Sequence, residues 1–333
     1  MAIAAMLTLA SCSAPQSPAS TPTPTPAFQT TGYADSTATT TAQLAASAQA
    51  MTEVGVDGVS LTSDGAGISA PDAGALQLLA EAHSKHLRAS LLVSNWSNTI
   101  NDFSEPLAEK MFDSPANIHS VVAALVREVD KHHWDGITID LEALNDWGDQ
   151  SHLGDDNPGL DSFVTHLRAA LGSHTLSICL TATTGSYSDL GYDLHTLAGH
   201  VDYIALMAYD EHGPGWSAAG PVGGMPWVKK SVASLMKSVP ASKIQLGVGE
   251  YGYSWPTHGT GTTYSDPDMR AFVKSHSANA VWSSTQQEWY ATFSDGEKVW
   301  WSDARSYRAR VALAHSLHLG GVAVWSLGEG DPL

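Results

Sequence analysis

Trp134-Asp135-Gly136-Ile137-Thr138-Ile139-Asp140-Leu141-Glu142 reads as a buried strand, entered through an Asp-Gly turn and ending in two carboxylates two residues apart. Side chains alternate faces along a strand. Ile137, Ile139 and Leu141 therefore share one face, and Thr138, Asp140 and Glu142 the other. An apolar face against helices, with acids at the C-terminal end of the opposite face, fits a catalytic strand of a parallel barrel. The two carboxylates have Cα atoms roughly 6.6 Å apart at ~3.3 Å per residue. At that spacing each perturbs the protonation of the other.

Outward from this strand, apolar strand-like runs alternate with helical patterns. Strands are predicted at 29–33, 55–61, 88–94, 136–141, 175–182, 203–207, 243–248 and 321–325, with helices at 41–51, 71–86, 114–132, 159–171, 190–198, 226–238 and 303–317. The last helix starts at Asp303, a good N-cap. Eight short strands separated by helices point to a parallel sheet, and the count favours a closed (β/α)8 TIM barrel in the α/β class. A doubly wound open sheet is the alternative, but no G-x-G-x-x-G follows the first strand. About 50 residues between the seventh strand and the helix at Asp303 are too many for a plain loop. They predict a small α+β insertion between strand 7 and the last helix, at about 254–302.

The chain has 333 residues and a formal charge of −18, all of it carried from Asp35 onward. An acidic surface argues against nucleic acid and anionic lipid as partners. Residues 1–12 read as a signal peptide: the apolar run is too short to span a membrane, and Leu9-Ala10-Ser11-Cys12 resembles a bacterial lipobox, with Cys12 as the lipidated residue. Residues 13–31 are rich in Ser, Thr and Pro and form a tether that favours extended polyproline II. Residues 32–333 make up the barrel. This organisation predicts a lipid-anchored, extracytoplasmic (or secreted) monomer that meets the membrane through its anchor alone. Only Cys179 remains after Cys12, so no intrachain disulfide is expected and Cys179 reads as a small buried hydrophobe. The fifteen His residues contain no H-x-x-x-H or H-E-x-x-H pair, so neither a metal site nor a cofactor is expected.

Four motifs converge on one family. The opening stretch matches D-G-x-D-x-D-x-E at Asp135, Gly136, Asp140 and Glu142, with Thr138 where Asp or Asn is usual. The sixth strand ends Leu206-Met207-Ala208-Tyr209-Asp210-Glu211-His212, the seventh runs Leu246-Gly247-Val248-Gly249-Glu250-Tyr251-Gly252-Tyr253-Ser254-Trp255, and the eighth runs Gly321-Val322-Ala323-Val324-Trp325-Ser326-Leu327-Gly328. In this order they resemble the family 18 glycoside hydrolases (chitinases and their relatives), and within them the bacterial cell-wall and spore-cortex-lytic branch.

The resemblance implies a roster of roles. A glycosidic bond breaks when its leaving oxygen is protonated while the oxocarbenium-like sugar is stabilised. Glu142 is the expected general acid/base. Asp140 stands too close to it for a retaining acid–nucleophile pair, which needs about 5–5.5 Å across the bond. Family 18 uses the substrate's own N-acetyl oxygen instead, oriented by Asp140 and hydrogen-bonded by Tyr209. Trp325 would floor the sugar site, Met207 pack beneath the acetyl group and Asp210 contact the sugar or the acid network. Asn95 and Glu250 are candidate sugar contacts, and Trp96, Trp147, Trp216 and Trp255 candidate stacking faces. Plainer alternatives stay open: Trp325 as barrel core, Tyr209 as a strand-end aromatic, Asp210 as a turn cap. Thr138 can donate a hydrogen bond to Asp140 but carries no charge, so Asp140 is expected to ionise more easily and activity to survive with a shifted pH profile. The implied substrate is a polysaccharide or oligosaccharide of 2-acetamido sugars, either peptidoglycan or a chitin-like polymer. A catalytically silent, lectin-like barrel and an endoglycosidase or chitinase acting on other glycans are the competing functions.

Overall fold

The computed structural model describes residues 27–144 and 157–333. The expected signal peptide with Cys12, most of the tether and Trp147 lie outside the described residues. Eight parallel strands, β1 (Gln29–Asp35), β2 (Glu53–Ser60), β3 (Arg88–Ser94), β4 (Gly136–Asp140), β5 (Thr175–Thr181), β6 (Tyr203–Met207), β7 (Ile244–Gly249) and β8 (Gly321–Trp325), close into a barrel in sequential order. β1 pairs with β8 through Gln29↔Gly321 to complete the ring. The barrel predicted from the periodicity is therefore the fold, with strand ends displaced by a residue or two. Helices pack outside it against the outward-facing apolar residues, among them Ile137 and Ile139 of β4 and Leu141 just beyond it.

Local chemistry sets the helix starts. Thr40 and Gln43 form a reciprocal capping box before the helix Thr41–Ser47, and Asp72 and Ser114 accept from backbone amides at the next starts. Asp303 accepts from the amides of Arg305 and Ser306 before Ala304–Ser316, as its sequence position predicts. Each such cap offsets an orphan amide and stabilises its helix by about 1 kcal/mol. The helix Glu105–Phe112 and the two-residue pairing of Trp96–Ser97 with Asp102–Phe103 are additions that the periodicity does not announce.

Between β7 and the last helix lies an antiparallel five-stranded sheet in the order Thr263–Ser265, Tyr251–Trp255, Lys298–Trp301, Glu288–Thr292, Val281–Ser283. The helix Asp266–Ser275 covers it over a core of Met269, Val273, Ala291, Phe293, Val299 and Trp301. The insertion opens at Tyr251, immediately after β7, rather than near 254. One buried ion pair ties it to the barrel. Arg310 of the last helix meets Glu288 at 2.7 Å, and Glu288 also accepts from the amides of Val222 and Gly223.

Candidate active site

The acidic face of β4 opens into the barrel mouth as its alternation requires. Gly136 admits β4 close beside β5: a Cβ there would lie 2.3 Å from the Thr175 carbonyl oxygen. Asp135 lies at the opposite end of the strand from the mouth, accepting from the Ala89 amide at 2.8 Å and facing His83 at 3.0 Å. The first acid of the signature is therefore a brace between strands.

Inside the barrel the Thr138 hydroxyl bridges the hydroxyls of Ser90 at 3.0 Å and Ser177 at 2.9 Å. It is thus engaged away from Asp140. Burial pushes this carboxyl up to about 6, against a downward pull from the Cys179 thiol. Desolvation dominates because Asp140 is 6% exposed.

Glu142 stands just past the strand end. Its amide donates to Asn95 Oδ1 at 2.9 Å and its carbonyl accepts from Asn95 Nδ2 at 2.8 Å. Burial raises its carboxyl well above the usual glutamate range, with the charges of Asp140, Asp210 and Asp102 adding to the effect. A carboxyl held protonated beside an ionisable partner is the arrangement a general acid needs.

Beyond β6, Tyr209 and Asp210 turn into the mouth, Asp210 with a left-handed φ of +60°. Asp210 Oδ1 accepts from the hydroxyls of Tyr251 and Tyr253, each at 2.6 Å. Burial raises Asp210 and these two hydroxyls draw it back. Asp140, Glu142, Tyr209 and Asp210 line one cavity of about 180 Å³, with Met207 and Trp325 among its apolar walls. A larger hollow of about 590 Å³ shares Glu142, Met207, Tyr209 and Asp210 and runs out to Trp216 and Trp227. Trp216 is 59% exposed and sits edge-on to Tyr253, an open face on which a sugar ring can stack.

Two expected sugar contacts are placed elsewhere. Asn95 is 0% exposed, and its amide is engaged by the backbone of Glu142 and Ser104; it positions the acid and cannot touch substrate. Glu250 points away from the mouth because Tyr251 and Tyr253, its neighbours in alternation, point into it. Its carboxylate packs where a Gly330 Cβ would be only 2.1 Å away, and burial pushes it up to about 8. Trp96 packs edge-on against Phe103, and Trp255 donates to the Ser217 carbonyl at 3.2 Å.

Other groups at the site escape the motif reading. Asp57 on β2 is pushed up to about 7 by burial and by the charges of Asp140 and Asp35. Its signal in the sequence is a polar residue on the face of β2 shared by Glu53 and Gly55. Tyr33 and Cys179 line the small cavity beside Asp140, and Gly55 leaves room for the Tyr33 ring. Among the described residues, no group of three or more His, Cys, Asp and Glu is arranged to hold a metal ion, and no helix is long and apolar enough to cross a membrane.

The sequence profile of the glycosyl hydrolases family 18 matches residues 29–330. Similar chains include an uncharacterized glycosylase, YvbX, of Bacillus subtilis, 24% identical over 263 residues that cover 75% of this chain and 74% of that one. The cortical fragment-lytic enzyme of the same organism is 24% identical over 75% of this chain but only 59% of its own length. Among solved structures, a chitinase of Chromobacterium violaceum superposes with a TM-score of 0.79 at 25% identity, covering 92% of this chain and 96% of that one. The spore cortex-lytic enzyme SleL of Bacillus cereus shares the fold, with a TM-score of 0.78 at 18% identity over 92% of this chain and 72% of that one. With the profile spanning nearly the whole described chain, the protein belongs to the glycosyl hydrolases of family 18 and is a glycoside hydrolase.

Proposed function

We propose that the chain hydrolyses β-1,4 bonds of N-acetylglucosamine-containing cell-envelope glycan, by substrate-assisted catalysis with retention. The observation that carries this reading is the meeting of Glu142, Asp140 and Tyr209 on one small cavity walled by Met207 and Trp325. Glu142 gives its proton to the leaving oxygen. The acetamido oxygen of the bound sugar attacks the anomeric carbon from the other face, Asp140 accepts the acetamide N–H, and Tyr209 donates to the acetamide oxygen. Glu142, now a carboxylate, takes a proton from the water that opens the cyclic intermediate, so two inversions give retention. A 2-acetamido group is then obligatory in the substrate, which favours peptidoglycan and chitin-like polymers.

Cell-envelope glycan is preferred because a lipid at Cys12 and the tether behind it would hold the barrel beside the wall outside the cytoplasm. The likeness to a cortical fragment-lytic enzyme supports the same choice. Retention of Glu142, Asp140 and Tyr209 together favours an enzyme over a silent lectin-like barrel. The test incubates the protein and Glu142→Gln with purified peptidoglycan and with chitin oligomers, and identifies released fragments by mass spectrometry. Glu142 is expected to be required, with a loss of about 10³-fold or more for removing the acid. Absence of Glu142-dependent release from both substrates would refute the proposal.

A further inference from the structure

Asp140 lacks the neighbour that its motif leads one to expect. Position 138 is a threonine whose hydroxyl is held between Ser90 and Ser177, and Asp140 Oδ1 is buried without a hydrogen-bond partner. The thiol of Cys179, on the next strand, draws the proton affinity of this carboxyl down as a side-chain hydrogen-bond donor. Cys179 of β5 lines the same cavity as Asp140 and Glu142, is 4% exposed, and has the Tyr33 hydroxyl of β1 at 3.5 Å from its Sγ. A thiol here is more than filler, since it lies between two polar groups in an otherwise apolar layer of Leu92, Ala205 and Ala323.

We propose that Cys179 is the positioning residue of Asp140, its S–H donating to the carboxylate while the Tyr33 hydroxyl donates to Sγ. A chain running from β1 through β5 to β4 thereby does the work that a residue at position 138 would otherwise do. The inference rests on the reading of Asp140 as the acceptor of the substrate's acetamide N–H. The thiol holds the carboxyl ionised and aimed until substrate arrives. Other charged or titratable groups also face Asp140. They are Asp57 from β2, Glu142 from the end of β4, and Tyr209 and Asp210 from beyond β6. Asp35 on β1 acts on Asp57. Of these, Tyr209 is itself acted on by Cys179, but its phenol is raised well above its ordinary 10.0, so a shift of the low-pH limb confined to Cys179→Ala reports the lost donor.

The test compares Cys179→Ala, which removes the donor, with Cys179→Ser, which keeps one. The first readout is the pH profile of kcat/KM on whichever glycan is cleaved. Its low-pH limb should move up by about one pH unit in the alanine variant and stay near the parent in the serine variant. The second readout needs no activity. Burial holds the Asp140 proton from its ordinary 3.8 up to about 6, so this group lowers stability as pH rises through that window. Without the thiol the window extends higher. The fall in Tm caused by Cys179→Ala should therefore be larger at pH 8 than at pH 4, with no such growth for Cys179→Ser. A role in packing alone would give a pH-independent penalty and an unmoved limb. Either of these, or a serine variant shifted as far as alanine, would overturn the proposal. If the parent protein cleaves neither glycan, the functional reading fails, and the Tm comparison still decides the role of Cys179.

Discussion

The Asn95 side chain makes three hydrogen bonds, all with backbone atoms: Nδ2 donates to the carbonyls of Ser104 and Glu142, and Oδ1 accepts from the Glu142 amide. Through them β3 fixes the point at which the chain leaves β4, and so the position of the acid. Asn95→Ala removes the donor and acceptor without touching substrate. The expected outcome is a kcat lower by about 10²-fold, since a displacement near 1 Å can cost that much, with KM little changed. Denaturant unfolding should show a loss of about 2 kcal/mol from the orphaned backbone groups. Nothing in the sequence distinguishes this role from the sugar contact expected there. Both need a polar side chain at the end of β3, and only the folding of the Ser104 turn and the Glu142 backbone around it takes the amide out of the mouth.

At the scale of elements, the loop carrying Asp210 and Glu211 is anchored from two sides. Tyr251 and Tyr253 of the inserted sheet grip Asp210, and Glu288, neutralised by Arg310, holds the amides of Val222 and Gly223. The insertion thus stiffens one wall of the mouth. Arg310 and Glu288 are 2% and 0% exposed, so removing one partner strands a buried charge. Arg310→Met should cost about 3–5 kcal/mol in urea unfolding, and the companion change Glu288→Leu should recover only part of it. The shortfall comes from the Val222 and Gly223 amides, which lose their acceptor. The sequence signalled that an insertion exists, through its excess length, and Asp303 announced the last helix. It did not reveal that the sheet begins at Tyr251, because Gly249 to Trp255 reads as one continuous run whether or not the chain leaves the barrel there.

At the scale of the whole molecule, the acidic composition reaches the interior. Glu250 and Asp266 are both buried, with no hydrogen-bond partner for either carboxylate. They lie where β7, the inserted helix and the C-terminal segment meet, and the Asp266 amide donates to the Glu329 carbonyl at 2.9 Å. Burial pushes Glu250 up to about 8, and burial together with the charge of Glu250 pushes Asp266 up to about 9. The unfolded chain gives up the Glu250 proton near 4.5 and the folded chain only near 8, so stability falls as pH rises across that interval. Glu250→Gln, which cannot ionise, should match the parent Tm at pH 4 and exceed it by about 2 °C or more at pH 8. An equal Tm for the two proteins at pH 8 would show that this carboxyl is not held protonated by the fold.

The barrel and the residues meeting at its mouth were legible from residue order because they depend on short-range regularities. Alternation along β4 separates its acids from its isoleucines, and the strand–helix rhythm leaves few topologies. Strand ends in a parallel barrel converge on one face, so Asp140, Tyr209 and Trp325 had to approach one another once the barrel closed. The tertiary structure alone decided what surrounds them. It engaged Thr138 with two serines rather than with Asp140, hid Asn95 and Glu250 from the mouth, and set Asp57, Tyr33 and Cys179 around the central carboxyl. Those outcomes follow from register and burial between strands far apart in sequence. The opening D-G-x-T-x-D-x-E stretch could mark the acids, but which neighbours govern their protons is a property of the closed barrel.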